Sequence, residues 1–223
     1  MGTRAGDFGP SEAGKAGASA RQVYEARKAR REREIRNRHP VIAPVILALR
    51  DHPAHELAWA PGAEGEGRLA GALESRIGKD SVLLSDRCMP GSRANIDHLV
   101  VASSGVWVID SKRYKGKVKV VRSLFGADRL MIGSWDQSGL ANGLEQQVAA
   151  VAASVLESGI ATPVQGVLCF VDTELPGLLT PTFRGFPLIR PRALARRIRK
   201  SGALPAARVH ALARELGAAF PPA

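Results

Sequence analysis

The chain has 223 residues, with 32 Lys and Arg against 21 Asp and Glu and a formal net charge of +11. That length holds one domain of ordinary size with an appendage and leaves no room for a second large domain. The charge favours polyanionic partners, nucleic acid or an anionic membrane surface, without naming an activity. Cys88 and Cys169 stand far apart with no Cys/His spacing around them, which excludes a disulfide scaffold and a structural zinc site. Two buried, reduced thiols in a reducing compartment are expected.

The first twenty residues are rich in Gly, Ala and Ser and predict disorder. No apolar segment among them reads as a secretory signal. Arg21 to Arg38, "RQVYEARKARREREIRNR", places eight basic and three acidic side chains on good helix formers with little apolar surface. It predicts an exposed basic helix ending near Pro40. From that arm Arg27 and Arg31 would add salt-dependent phosphate contacts. "VIAPVILAL", Val41 to Leu49, is too short to cross a bilayer and contains Pro44. A cytoplasmic protein without a transmembrane segment is the expectation.

Gly62, Gly65 and Gly67 mark a turn from which a helix should start, ending near Gly78. Glu66, Ala70, Leu73 and Ile77 share one face of it, which puts a carboxylate in line with core residues. Complementing the helix dipole is the plainer role for Glu66. "SVLLSDR" predicts a short strand and "CMPGSR" a turn.

"ANIDHLVVAS" and "GVWVIDSK" predict a hairpin across a Ser-Ser-Gly junction. With Ser103 and Ser104 as the loop, Asp97 stands opposite Asp110, with roughly 4.5 to 5.5 Å between their Cβ atoms. A three-residue loop with Gly105 as a bulge would shift that pairing by one. In either register Asp110 and Lys112 share a face. His98 falls on the face opposite Asp97, so a core or surface role is expected for it.

"KGKVKVVRSLFGADRLMIG" reads as further strand with alternating lysines, as at a sheet edge or in a half-exposed strand. Leu140, Leu144, Val148, Val151 and Val155 keep a helical period over about Leu140 to Leu156, with Gln147 on the flank of the stripe and Gln146 turned away. "TPVQGVLCFVD" is the most continuously apolar strand and is predicted to be central. "FPLIR" predicts a last short strand. Pro191 opens "PRALARRIRKSG", which with "PAARVHALARELGAAF" predicts two C-terminal helices.

Converging carboxylates repel one another, so a set comprising Glu66, Asp97 and Asp110 persists only with a balancing cation or with bound protons. An all-oxygen set suits Mg²⁺ or Mn²⁺, which can hold phosphate oxygens at the same time. Lys112 beside that ion would orient or help deprotonate water, or would stabilise charge on phosphorus. Arg113, Lys115, Lys117 and Lys119 would grip the nucleic-acid backbone.

The blocks "GAEGEGRLAGAL", "DRCMPGSRANIDHLVV" and "GVWVIDSKRYKGKV" resemble the nuclease-related domain (NERD) of the restriction-endonuclease-like superfamily, over about Ala60 to Val171. The resemblance implies an α/β fold, a mixed sheet flanked by helices, with the site at the end of the central hairpin. It also implies DNA as partner, cleaved with a divalent ion. Its conserved acids match Glu66, Asp97 and Asp110, its lysine matches Lys112, and its helical glutamine is best matched by Gln147. The acid before the lysine, often glutamate in the family, is Asp110 here. "GLEQQ" lacks the proline common in relatives.

The expected organisation is a basic arm over residues 1–50, the nuclease-related domain over 51–190 and a C-terminal helical extension over 191–223. A Mg²⁺-dependent DNA nuclease is the leading reading. A non-catalytic nucleic-acid-binding module with a relic site is the alternative. A membrane adaptor ranks last, because the arm lacks an aromatic face.

Overall fold

The computed structural model describes residues 59–92, 94–177 and 180–223, together with Arg33. Arg27, Arg31 and the expected disorder of the first twenty residues lie outside these.

The chain is of the mixed α/β class. Its main sheet has six strands in the order β1-β2-β3-β7-β9-β8. The first three are β1 (Val82–Cys88), β2 (Asn95–Ala102) and β3 (Gly105–Lys112), antiparallel neighbours in sequence. Strand β7 (Val164–Phe170) joins β3 in parallel, which requires a crossover. That crossover carries β4 (Val118–Val121), β5 (Arg129–Ile132), β6 (Trp135–Asp136) and helix α2 (Leu140–Glu157). Strand β9 (Phe186–Ile189) runs parallel to β7 and antiparallel to the two-residue β8 (Thr182–Phe183).

Both faces of the sheet are covered. Helix α2 and the last helix, α4 (Ala206–Ala219), lie on one side, where Leu144, Val151, Leu212 and Leu216 pack with Leu99, Val108 and Leu168. The other side is covered by α1 (Trp59–Glu74) and α3 (Pro191–Ile198). There Leu69, Leu73, Leu194 and Ile198 pack with Val100, Trp107, Ile109 and Cys169. Burial on both faces explains why β3 and β7 read as near-continuous apolar runs. Gly166 in β7 is a contact requirement: a Cβ there would lie 2.6 Å from a methyl of Val148 on α2 and 2.7 Å from the Phe186 ring.

The "TPVQGVLCFVD" strand is interior, as expected, and Pro191 is the first residue of α3. The C-terminal helices contribute directly to both cores. Strands β4 to β6 form a separate three-stranded antiparallel sheet. Its buried face is narrow, with Val118, Leu130 and Ile132 inside, while Lys117 and Lys119 are exposed, as expected for a half-exposed strand. Two expectations need revision. Helix α1 begins at Trp59 and includes Gly62, Gly65 and Gly67, because intrinsic propensity yields to the burial of Leu69 and Leu73. Cys88 is only partly buried, whereas Cys169 is fully buried; both thiols are free.

Candidate active site at the open end of the hairpin

Ala102 pairs with Gly105, so Ser103 and Ser104 form a two-residue loop. The register excludes the three-residue bulge and brings Asp97 level with Asp110. The regular ladder stops one step earlier, at His98 and Ile109. Beyond it the Asp97 side chain takes over, its Oδ2 accepting the backbone N–H of Ser111 at 2.7 Å. The carboxylates of Asp97 and Asp110 are close neighbours, near enough for Asp97 to act on the ionisation of Asp110. Lys112, two residues on and on the same face, donates from Nζ to Asp110 Oδ1.

Electrostatics in this cluster are dominated by burial. The Asp110 side chain is 9% exposed. Loss of water raises its pKa from an ordinary 3.8 to about 7, since Lys112 pulls it down by less than burial and the neighbouring Asp97 push it up. Asp110 therefore holds its proton well above the pH at which an ordinary aspartate ionises. Burial pushes the pKa of Lys112 down, but the attraction of Asp110 and Asp97 outweighs this and holds it above the usual lysine value. Lys112 is thus held as a cation beside the two carboxylates.

Gln147 reaches the same strand from α2, its Nε2 donating to the carbonyl of Asn95 at 3.0 Å. Its Oε1 is buried with no hydrogen-bond partner. Gln146 is exposed, so the helical period chose correctly between the two in exposure. Glu66 lies within α1, but its side chain is outside the described residues. His98 is buried within hydrogen-bonding distance of Ser85 Oγ, 3.1 Å from its Nδ1, a core position. Lys115, Lys117 and Lys119 are exposed. Arg113 turns away from Lys112 toward Asp172 Oδ2, 3.6 Å from its Nε.

Four surrounding residues were missed by sequence reasoning. Asp172 follows β7 with φ 55°, and Arg68 of α1 meets its Oδ2 at 2.5 Å. Thr173 Oγ1 accepts the Tyr114 N–H at 3.2 Å and donates to the Tyr114 carbonyl at 3.0 Å, anchoring the tail of β3. Asp86 is buried in β1 at φ 50° and accepts a bond from Asn95 Nδ2 at 3.1 Å. A usable signal existed for Asp172, since a charged residue closing an apolar parallel strand sits at the carboxyl edge where α/β sheets bind ligands.

The donor set fits a hard divalent cation chemically: two carboxylates in contact, with an unpartnered amide oxygen on the helix bonded to the same strand. Among the described residues no three His, Cys, Asp or Glu side chains gather as a cation cluster.

A sheet covered on both faces, with an Asp-x-Lys pair at the end of its central hairpin, is the arrangement of the restriction-endonuclease-like superfamily. Within that superfamily the chain belongs to the nuclease-related domain family, whose model matches residues 61–171. Neither a curated protein nor a solved structure matches the chain. Among the described residues no helix is long and apolar enough to cross a membrane.

Proposed function

We propose that this protein is a divalent-metal-dependent nuclease that hydrolyses phosphodiester bonds in DNA. The observation that carries the reading is the contact between Asp97, Asp110 and Lys112 at the open end of the hairpin, inside the matched domain. Asp97 and Asp110 would hold Mg²⁺ or Mn²⁺, with Glu66 completing the set. The bound ion would supply charge stabilisation on the phosphoryl oxygens and a more acidic water. Lys112, held as a cation by the neighbouring carboxylates, would position the attacking water or stabilise charge on the phosphoryl group. Gln147 would help to hold the start of β2 through the Asn95 carbonyl, and through it Asp97. Arg113, Lys115, Lys117 and Lys119 would bind the backbone, with Arg27 and Arg31 adding contacts from the arm.

Incubating supercoiled, linear and single-stranded DNA with Mg²⁺, Mn²⁺ or EDTA tests this, with Asp110→Ala and Lys112→Ala run alongside. Cutting should require the metal and vanish in both variants, while Lys112→Ala still binds DNA. Equal cutting by Lys112→Ala would sink the mechanism. Salt-sensitive binding with no metal-dependent cutting by the parent would favour a nucleic-acid-binding module.

A further inference from the structure

On the face of the sheet opposite the Lys112 side chain lies a cleft of about 570 Å³, between α1, the chain after β7 and the start of α3. Its lining includes Arg68, Arg76, Arg190 and Arg192, set against only Asp172 and Glu174. Asp172 is already met by Arg68 at 2.5 Å and by Arg113 at 3.6 Å. Arg76 and Arg190 bond to carbonyls, Arg76 to that of Ala72 at 3.2 Å and Arg190 to that of Leu175 at 3.4 Å. Neither they nor Arg192 is ion-paired to a carboxylate among the described residues. Helix α3 starts at this cleft, without a side-chain cap, adding the positive end of its dipole. Four arginines against two carboxylates leave the lining with an excess of positive charge, which an anion with several oxygens can balance through forked hydrogen bonds.

The cleft is joined to the candidate active site. Val171, part of its lining, donates its N–H to the Lys112 carbonyl at 2.8 Å. At the end of β3 the alternation sends Lys112 to one side and Arg113 to the other, toward Asp172. A polynucleotide crossing the carboxyl edge of β3 and β7 would therefore meet the Asp97–Asp110–Lys112 cluster and the arginine cleft in succession.

We propose that this cleft is a second phosphate-binding subsite, in which Arg76, Arg190 and Arg192 hold backbone phosphates of a nucleic-acid strand next to the scissile one. The choice of polynucleotide as the anion rests on the reading of the neighbouring site as a phosphodiesterase. The recognising chemistry is that of a phosphoryl anion, so a free phosphate is the competing source.

The test reads binding alone, in EDTA, on a Lys112→Ala background where cleavage does not occur. Binding of a fluorescent 20-nucleotide duplex is followed by anisotropy from 50 to 300 mM salt. Each lost phosphate contact lowers the slope of log K against log[salt] by about 0.9. Arg190→Gln with Arg192→Gln should thus lower it by about 1 to 2 and weaken binding by about ten- to a hundred-fold at 0.1 M salt. Arg196→Gln with Arg199→Gln removes the same charge from the exposed, far end of α3 and should leave the slope near that of the parent. An equal loss in both double variants overturns the subsite, as does no loss in either. Arg76→Gln is an independent variant on α1 and should lower the slope by about 1; an unchanged slope counts against the subsite. Inorganic phosphate is titrated in parallel by calorimetry. Saturable phosphate binding that the Arg190/Arg192 variant removes, with an unchanged duplex slope, would replace the polynucleotide by a free anion. Failure of the parent to cut DNA while the slope difference persists would overturn the nuclease reading and leave the subsite standing.

Discussion

At the turn end of the β2–β3 hairpin, Val101, Ala102, Val106 and Trp107 are at most 3% exposed and make apolar contacts on both faces of the sheet. The Trp107 indole donates to Ser104 Oγ at 3.1 Å, and Ser104 Oγ donates to the Ile198 carbonyl at 2.7 Å. A few residues along the same two strands, the open end buries Asp110 against Asp97 and Lys112. One register serves both ends, yet the first gains by leaving water and the second loses. The rigid turn end, held through its contacts with α3, keeps the strands aligned where the carboxylates would otherwise move apart. Substitutions at the turn end should therefore act on stability, and those at the open end on charge, with smaller effects on folding.

The largest effect on stability is expected from Trp107→Ala. It empties a large apolar volume and should cost about 3 to 5 kcal/mol, measured as a lower urea midpoint. A loss under 1 kcal/mol would show that the turn end does not anchor the hairpin. Lys112→Met comes next: breaking a buried ion pair costs about 3 kcal/mol or more when the remaining charge has no escape. Here Asp110 can keep its proton, so the loss should be clear at pH 8 and small at pH 5. Equal losses at both values would refute the account of Asp110 as protonated at pH 5.

Asp110→Asn tests the charge directly. Native Asp110 keeps its proton up to about pH 7, whereas an ordinary aspartate loses it near 3.8. Between those values the folded state binds more protons than the unfolded, so stability falls as pH rises. The contribution is complete below 3.8 and is lost as pH rises through about 7. Urea melts of the parent and Asp110→Asn should diverge across this window, the parent losing stability with rising pH relative to the variant. Parallel curves would contradict the raised pKa. Gln147→Ala removes one hydrogen bond at the edge of the cluster and should cost about 1 kcal/mol, with a larger proportional effect on DNA cleavage than on stability. The reverse ranking would make Gln147 a packing residue.

Much of this was legible because local patterns have local causes. The Ser-Ser-Gly junction and its branched flanks marked the hairpin, and strand alternation put Asp110 and Lys112 on one face. Helical period separated Gln147 from Gln146, and Pro191 marked the start of α3. The competing hairpin loops were separated only by the fold, because a turn of two or three residues is decided by how the strands pack. That strands β4 to β6 form a sheet of their own was not legible for a similar reason: alternation reveals a strand and does not name its partner.

By itself, the sequence determined the α/β class, the central hairpin, the shared face of Asp110 and Lys112 and the resemblance to a nuclease-related domain. These follow from periodicity, turn chemistry and short-range spacing. Only the tertiary structure decided that Asp97 accepts the Ser111 N–H beside Asp110, that Lys112 is held protonated and that arginines far apart in the chain line one cleft. Proton affinity depends on desolvation and on charges brought together by folding. Arg68, separated from Asp172 by 104 positions, gives no sign in the sequence that the two will meet.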